Sequence, residues 1–272
     1  MLSALLSKLT QLTLVAVLLF QPHANAKPVT TVNKIAIVID DIGYRQTDYQ
    51  ALKLTGQFTY AILPFAPLTQ PLANAVHHSK REVIIHIPME AKTNNHLLGT
   101  GALKAEMDEA TARRHIRQAI ANVPHAKGVN NHMGSKLTAQ AQPMSWLMDE
   151  LSQQHFYMLD SKTTPHSVIV PIAQQYGVPA GQRHIFLDNQ LDQDYLNQQL
   201  SKLIRLAKRN EYAIAIAHPH PQTIAFLSQI ETKLASHNVT LVPLSTLVKR
   251  SLPQNLSNLT TTPLIASPAT SP

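Results

Sequence analysis

Between residues 34 and 250 the apolar positions fall into short unbroken runs separated by stretches of helical period. Ile35-Ala36-Ile37-Val38-Ile39, Val83-Ile84-Ile85, Phe156-Tyr157-Met158-Leu159 and Ala213-Ile214-Ala215-Ile216-Ala217 lack apolar/polar alternation. Each therefore reads as a strand buried on both faces. Further strands are predicted over 58–63, 127–130, 184–187 and 240–242. Helices are predicted over 46–54, 70–79, 106–122, 167–176, 193–210 and 223–236, with another running through Trp146 to Gln154. Strict alternation with short connections means right-handed βαβ units and a parallel sheet. Seven or eight strands suit a closed (β/α) barrel better than an open sheet.

The two ends differ from this pattern. Lys8 is the only charge before an apolar stretch over 12–20, and Ala24-Asn25-Ala26 follows with small-x-small spacing. This predicts a signal peptide over 1–26, a mature start at Lys27, and no stable membrane span after cleavage; an uncleaved anchor is the alternative. Residues 251–272 are Ser-, Thr- and Pro-rich without apolar period, which predicts a disordered tail. One domain over 27–250 remains.

The predicted strands end in chemistry. The first runs into Asp40-Asp41, the next into His86, Gly128-Val129-Asn130-Asn131 into His132, the fourth into Asp160 and the last into His218. In a parallel barrel the carboxyl ends of the strands carry the catalytic groups. Adjacent aspartates cannot both be desolvated anions unless a cation sits beside them. A metal site is expected, one carboxylate binding the ion and the other taking a proton from water. Neighbouring strand residues face opposite ways, so the chain must turn at Asp40-Asp41, and Gly43 suits such a turn. A helix cap is the plain alternative for the pair, and a hydrogen-bonded core histidine for His86. Asn130 and Asn131 are expected to orient His132. Asp160 reads as a metal ligand, as support for a ligand, or as a cap. Glu90 and His220 stay open as further members.

Composition narrows the chemistry. With no cysteine, neither disulfides nor thiolate ligands are available. A mixed Asp/His donor set selects a divalent ion, zinc first, with manganese, cobalt or nickel as alternatives. The net charge of +7 comes from bases scattered over predicted helix faces, and aromatics make up only 5% of residues. No nucleic-acid motif or stacking platform is present.

Five segments in order resemble the divergent polysaccharide deacetylase family, within the NodB-like carbohydrate esterase superfamily. They are Ile37-Val38-Ile39-Asp40-Asp41-Ile42-Gly43, His86-Ile87-Pro88-Met89-Glu90, Asn131-His132-Met133-Gly134-Ser135, Leu159-Asp160-Ser161-Lys162-Thr163 and Ala217-His218-Pro219-His220. The resemblance implies a distorted seven-stranded (β/α) barrel that removes acetyl groups from glycans. It implies Asp40 as catalytic base, Asp41 as metal ligand and His218 as general acid. Typical members use a second histidine four residues after the first, where this chain has Glu90. Either Glu90 replaces that ligand or His132 completes the site, giving an expected set of Asp41, His86, His132 and Asp160. An Arg-x-Pro-Tyr segment of typical members is replaced by Asn130-Asn131-His132-Met133.

The expected function is a periplasmic or secreted metal-dependent hydrolase acting on a glycan or acetylated oligosaccharide. The alternative is a catalytically inactive, metal-containing envelope protein that binds a glycan or a protein partner.

Overall fold

In the computed structural model, which describes residues 32–248, the first apolar run forms strand β1 (Asn33–Ile42), whose alternate residues serve two cores. Ile35, Ile37 and Ile39 point outward into the layer between sheet and helices. Ala36 and Val38 point inward, where they meet Ala61, Ile84, Leu159, Ile214 and Ile216. This double burial is why the runs show no polar alternation.

The remaining strands are β2 (Thr59–Ile62), β3 (Glu82–Met89), β4 (Ala126–Met133), β5 (Tyr157–Asp160), β6 (Ala180–Gln182), β7 (Ile185–Phe186), β8 (Tyr212–Ala217) and β9 (Val239–Leu241). All are parallel, in the order β6-β5-β4-β3-β2-β1-β8-β7. β9 shares one edge of β1 with β2, pairing with Asn33–Ile35 while β2 pairs with Val38–Ile42. The sheet curls into an α/β barrel with nine strands among the described residues rather than seven. The run expected over 184–187 supplies only β7, and β6 precedes it. β6 and β7 do not pair, so Arg183 lies in the gap. Its backbone N–H donates to the Asp160 carbonyl, and its guanidinium donates to the carbonyls of Ser161 (2.7 Å) and Lys162 (2.9 Å).

Among the described residues seven α-helices cover the outside: α1 (Thr69–His78), α2 (Glu109–Asn122), α3 (Ala141–Gln153), α4 (Ile169–Gln175), α5 (Gln193–Asn210), α6 (Pro221–Leu227) and α7 (Ile230–Ala235). In α5 the stripe Leu196, Leu200, Leu203, Ile204 and Ala207 is buried, and Asp192 caps the helix by accepting from the Tyr195 N–H. The helix expected over 223–236 is two helices, and Ser228, where the first ends, donates its hydroxyl to the Ala225 carbonyl. The segment expected to be helical over 46–54 is 3-10.

Leu244 and Leu247 plug the amino end of the barrel. The Leu244 N–H donates to Thr59 Oγ1, and the buried Glu82 accepts from Ser245 N–H, Thr59 Oγ1 and Tyr157 OH. The functional side chains gather at the carboxyl end, where Asp41 and His218 are partly exposed. The leader expected over 1–26 and the tail expected over 251–272 lie outside the described residues. Among the described residues no helix is long and apolar enough to cross a membrane.

Candidate metal centre and its neighbours

Asp40 continues the inward face of Ala36 and Val38, and it is buried. Asp41 would point outward on a regular strand. Its φ of 59° swings it back towards the mouth, a conformation that Asp tolerates better than most residues. Gly43, at φ 145°, completes the turn, and a Cβ there would meet Ala66 Cβ at 2.9 Å. Asp48 locks it by accepting from the N–H groups of Gly43 (2.9 Å) and Arg45 (3.0 Å).

His86 shares the inward parity of Ile84 on β3, as Asn130 and His132 share that of Gly128 on β4. Register places His86 beside Asn130 and Pro88 beside His132. Three donor atoms then converge. Asp41 Oδ1 lies 3.1 Å from His86 Nε2 and 2.9 Å from His132 Nδ1, and the two ring nitrogens are 3.2 Å apart. Among the described residues these three form the one Asp/His/Glu group able to hold an ion in this way. The donor separations suit a tetrahedral shell, in which ligands about 2.0–2.1 Å from an ion stand roughly 3.3 Å apart. Two imidazoles and one carboxylate fit a borderline divalent cation.

The neighbouring residues sort by direction. Glu90 turns away from this group: it accepts the Ala105 N–H and pairs with the Lys136 ammonium. Asp160 follows the outward parity of Met158, and its Oδ1 accepts the Lys162 N–H. It therefore stands outside the converging group. His220 begins α6 with its ring centroid 6.1 Å from that of His218, also outside it.

Asn130 serves His86 rather than His132. Its Oδ1 lies 2.7 Å from His86 Nδ1, and its Nδ2 donates to Asp40 Oδ1 at 2.9 Å. Asn131 faces outward, donating to the Met133 carbonyl and accepting the Ser161 N–H. Neither amide orients His132, because one faces a different partner and the other faces the opposite side of the strand.

His218 stands across the mouth, with Nε2 4.0 Å from Asp41 Oδ2. Its Nδ1 is held at 3.0 Å by Asp188, a buried residue two positions beyond β7. Asp188 directly follows the strand expected over 184–187 and was not among the expected site residues, although the strand-end pattern marks it as it marks the others. Arg183 was missed, and no sequence pattern signals it. Its guanidinium stacks on Phe186, 3.7 Å from the ring centroid, and Phe186 in turn lies against the His218 ring.

The charges differ accordingly. Burial opposes ionisation of Asp41, but hydrogen bonds from His132 and His86 outweigh it and hold the carboxyl well below the usual range. Burial, reinforced by Asp41, pushes the Asp40 carboxyl up despite His86 and His218. Burial opposes protonation of His218, but the Asp188 bond and charge raise its pKa to about 9. The mouth thus combines a basic carboxylate, a converging ligand group and a charged imidazole.

Comparison with known proteins agrees with this architecture. A family model described as divergent polysaccharide deacetylase matches residues 37–248. Over 216 residues the chain is 39% identical to uncharacterized protein YibQ of Escherichia coli K12, covering 79% of this chain and 67% of that one. An uncharacterized protein of Haemophilus influenzae is 37% identical over 196 residues, covering 72% and 70%. The crystal structure of uncharacterized protein ATU2773 from Agrobacterium tumefaciens C58 shares the fold, with a TM-score of 0.76 over 79% of this chain and 89% of that one at 21% identity.

Proposed function

The chain belongs to the divergent polysaccharide deacetylase family, and we propose that it is a metal-dependent hydrolase that removes acetyl groups from a glycan of the cell envelope. The observation that carries this reading is the convergence of Asp41, His86 and His132, with Asp40 and His218 on either side. Asp41, His86 and His132 would hold the ion, with zinc the first choice. A divalent ion there supplies Lewis acidity, acidifying a water molecule and polarising the acetyl carbonyl.

The remaining work falls to the chain's own groups. Asn130 fixes Asp40 Oδ1, leaving Oδ2, which faces His86 Nε2 at 3.6 Å, to take the proton of the attacking water. A carboxyl raised by burial is a stronger base than an exposed one, which suits that task. His218, anchored through Nδ1, presents Nε2 to the mouth and gives its proton to the departing nitrogen or oxygen. The water oxygen bonds to the acyl carbon, the C–N or C–O bond breaks, and acetate and the deacetylated sugar leave.

Acetate release from acetylated chitooligosaccharides, peptidoglycan fragments and acetylated xylan tests the reading, comparing metal-loaded wild type with Asp40→Asn. If wild type releases no more acetate than the variant on any of these, the hydrolase reading fails. Glycan or protein capture that survives Asp40→Asn would then support the binding-protein alternative. The leader-like segment over 1–26 supports a periplasmic or secreted location. Amino-terminal sequencing of the exported protein is expected to begin at Lys27, and recovery of Met1 in the membrane fraction would contradict it.

A further inference from the structure

At the amino end of the barrel, opposite the mouth, the end of α1 and the starts of β3 and β4 border an open pocket of about 510 Å³. Its lining includes His77, His78, Lys80, Arg81, His125 and Lys127. The His77 and His125 rings stack face to face, with centroids 3.9 Å apart and planes 5° from parallel. The His78 ring lies edge-on to His77 at 6.2 Å. Lys80 and His125 are held at φ 58° and 64°, in the left-handed region that such residues seldom adopt.

Every charged group around the pocket can be placed. Arg81 is committed to the chain, donating to the carbonyls of Leu52 and Leu54 and to Tyr60 OH and Ser79 Oγ. Glu82 is the one acid in the lining; it is buried, its Oε1 accepts from three donors, and its Oε2 has no hydrogen-bond partner. Among the described residues no carboxylate pairs with Lys80 or Lys127. Two free ammonium groups and three imidazoles therefore face the same space. Basic residues at the end of α1 complement the helix dipole. That does not account for His125 and Lys127, which come from the approach to β4 and from β4 itself.

A metal fits this cluster poorly. His125 Nε2 is bonded to Asn74 Oδ1 (2.9 Å), and His78 Nδ1 to the Asn74 carbonyl (2.7 Å). Face-to-face rings do not aim their nitrogens at a common point. An anion fits better. A bound anion would offset the repulsion between positive charges gathered this closely. Burial and the nearby His77 and His78 already hold His125 below the ordinary histidine pKa.

We infer that this pocket binds a phosphate-bearing anion through its lysines and imidazoles, and that binding tightens as His125 takes up a proton. A phosphate offers several oxygens to several donors and up to two negative charges, whereas a carboxylate offers fewer of both. Linkage then requires the bound anion to raise the His125 pKa. The same chemistry could be presented by a free phosphate ester or by a phospholipid headgroup.

Inorganic phosphate is titrated into the purified protein at low ionic strength, where exposed charges are least screened. Histidine ring signals are followed by NMR and assigned with single His→Asn variants. At pH 6.0 the signals of His77, His78 and His125 are expected to shift saturably, with an apparent Kd at least about fivefold tighter than at pH 7.5. Lys80→Ala/Lys127→Ala should weaken binding at least about fivefold with an unchanged Tm, since both side chains are exposed. Sedimentation with phosphatidylglycerol but not phosphatidylcholine vesicles, lost in the double variant and competed by phosphate, would identify the headgroup as the source. Saturable phosphate binding without sedimentation would identify the free ester. Absence of saturable shifts at pH 6.0, or equal binding by the double variant, overturns the proposal.

Discussion

Asp188 holds His218 at two points: its Oδ2 accepts the His218 backbone N–H at 2.7 Å, and its Oδ1 faces Nδ1 at 3.0 Å. The Thr223 hydroxyl donates to the same Oδ2 at 2.9 Å, which keeps the carboxylate in place. Burial alone would depress the imidazole pKa, so its rise to about 9 rests first on Asp188, with the charges of Asp41 and Asp40 adding to it. In EDTA-treated protein, Asp188→Asn is expected to bring the His218 titration down towards the ordinary value of about 6.5. An NMR titration reads this directly, and an unshifted midpoint would remove Asp188 as the cause.

The same pair makes a stability prediction. A folded-state pKa above the unfolded one contributes stability that is fully present below about pH 6.5 and lost as pH rises through about 9. Denaturant midpoints of the metal-free wild type should therefore fall across that window. Those of Asp188→Asn should fall less. Parallel curves for the two proteins would contradict the linkage.

Removing one ligand should remove the ion. Elemental analysis after mild purification is expected to find about one divalent ion per wild-type chain and almost none in His132→Ala, because a donor pair is a far weaker site than three converging atoms. Glu90→Gln should keep the ion, since Glu90 is committed to Lys136 and Ala105. Full metal content in His132→Ala would exclude His132 from the ligand set.

Asn130 fixes the His86 ring through Nδ1 and so leaves Nε2 facing Asp41. Asn130→Ala should weaken metal affinity by about 10–100-fold, the usual cost of losing the group behind a ligating imidazole. Competition with a chromogenic chelator measures this, and unchanged affinity would show that the ring needs no such support.

Asp40→Asn keeps the size of the side chain and the Asn130 contact but cannot accept a proton. Turnover should drop on the order of 10²–10⁴-fold with metal content unchanged. A variant retaining wild-type turnover would transfer the base role elsewhere.

A Cβ on Gly128 would lie 2.6 Å from the Tyr157 ring, which is buried and bonded to Glu82. Gly128→Ala should cost about 1–3 kcal/mol of unfolding free energy by overpacking. Denaturant unfolding measures it, and a neutral result would mean that the ring shifts freely.

Much of this was legible along the chain because strand signals are local. Five apolar residues before Asp40 or His218 announce a doubly buried parallel strand, and the period of two then fixes which residues share a face. Family motifs named the fold, and the barrel with its parallel order agrees. Short or irregular pieces were less legible. β6 is three residues long and carries no apolar run, and the break between α6 and α7 falls inside one stretch of continuous helical period.

The sequence by itself determined the strand-end chemistry: which segments are buried, where each stops, and that Asp or His follows. Tertiary structure alone decided the partnerships. Whether Glu90 or His132 meets Asp41 depends on the β3–β4 register and on Lys136 drawing Glu90 away. That Asn130 supports His86, and Asp188 supports His218, depends on which strands lie side by side. Periodicity reports the direction of a side chain within its own strand, whereas contacts across 30 or more residues are set by strand order, register and local turns such as the one at Asp41.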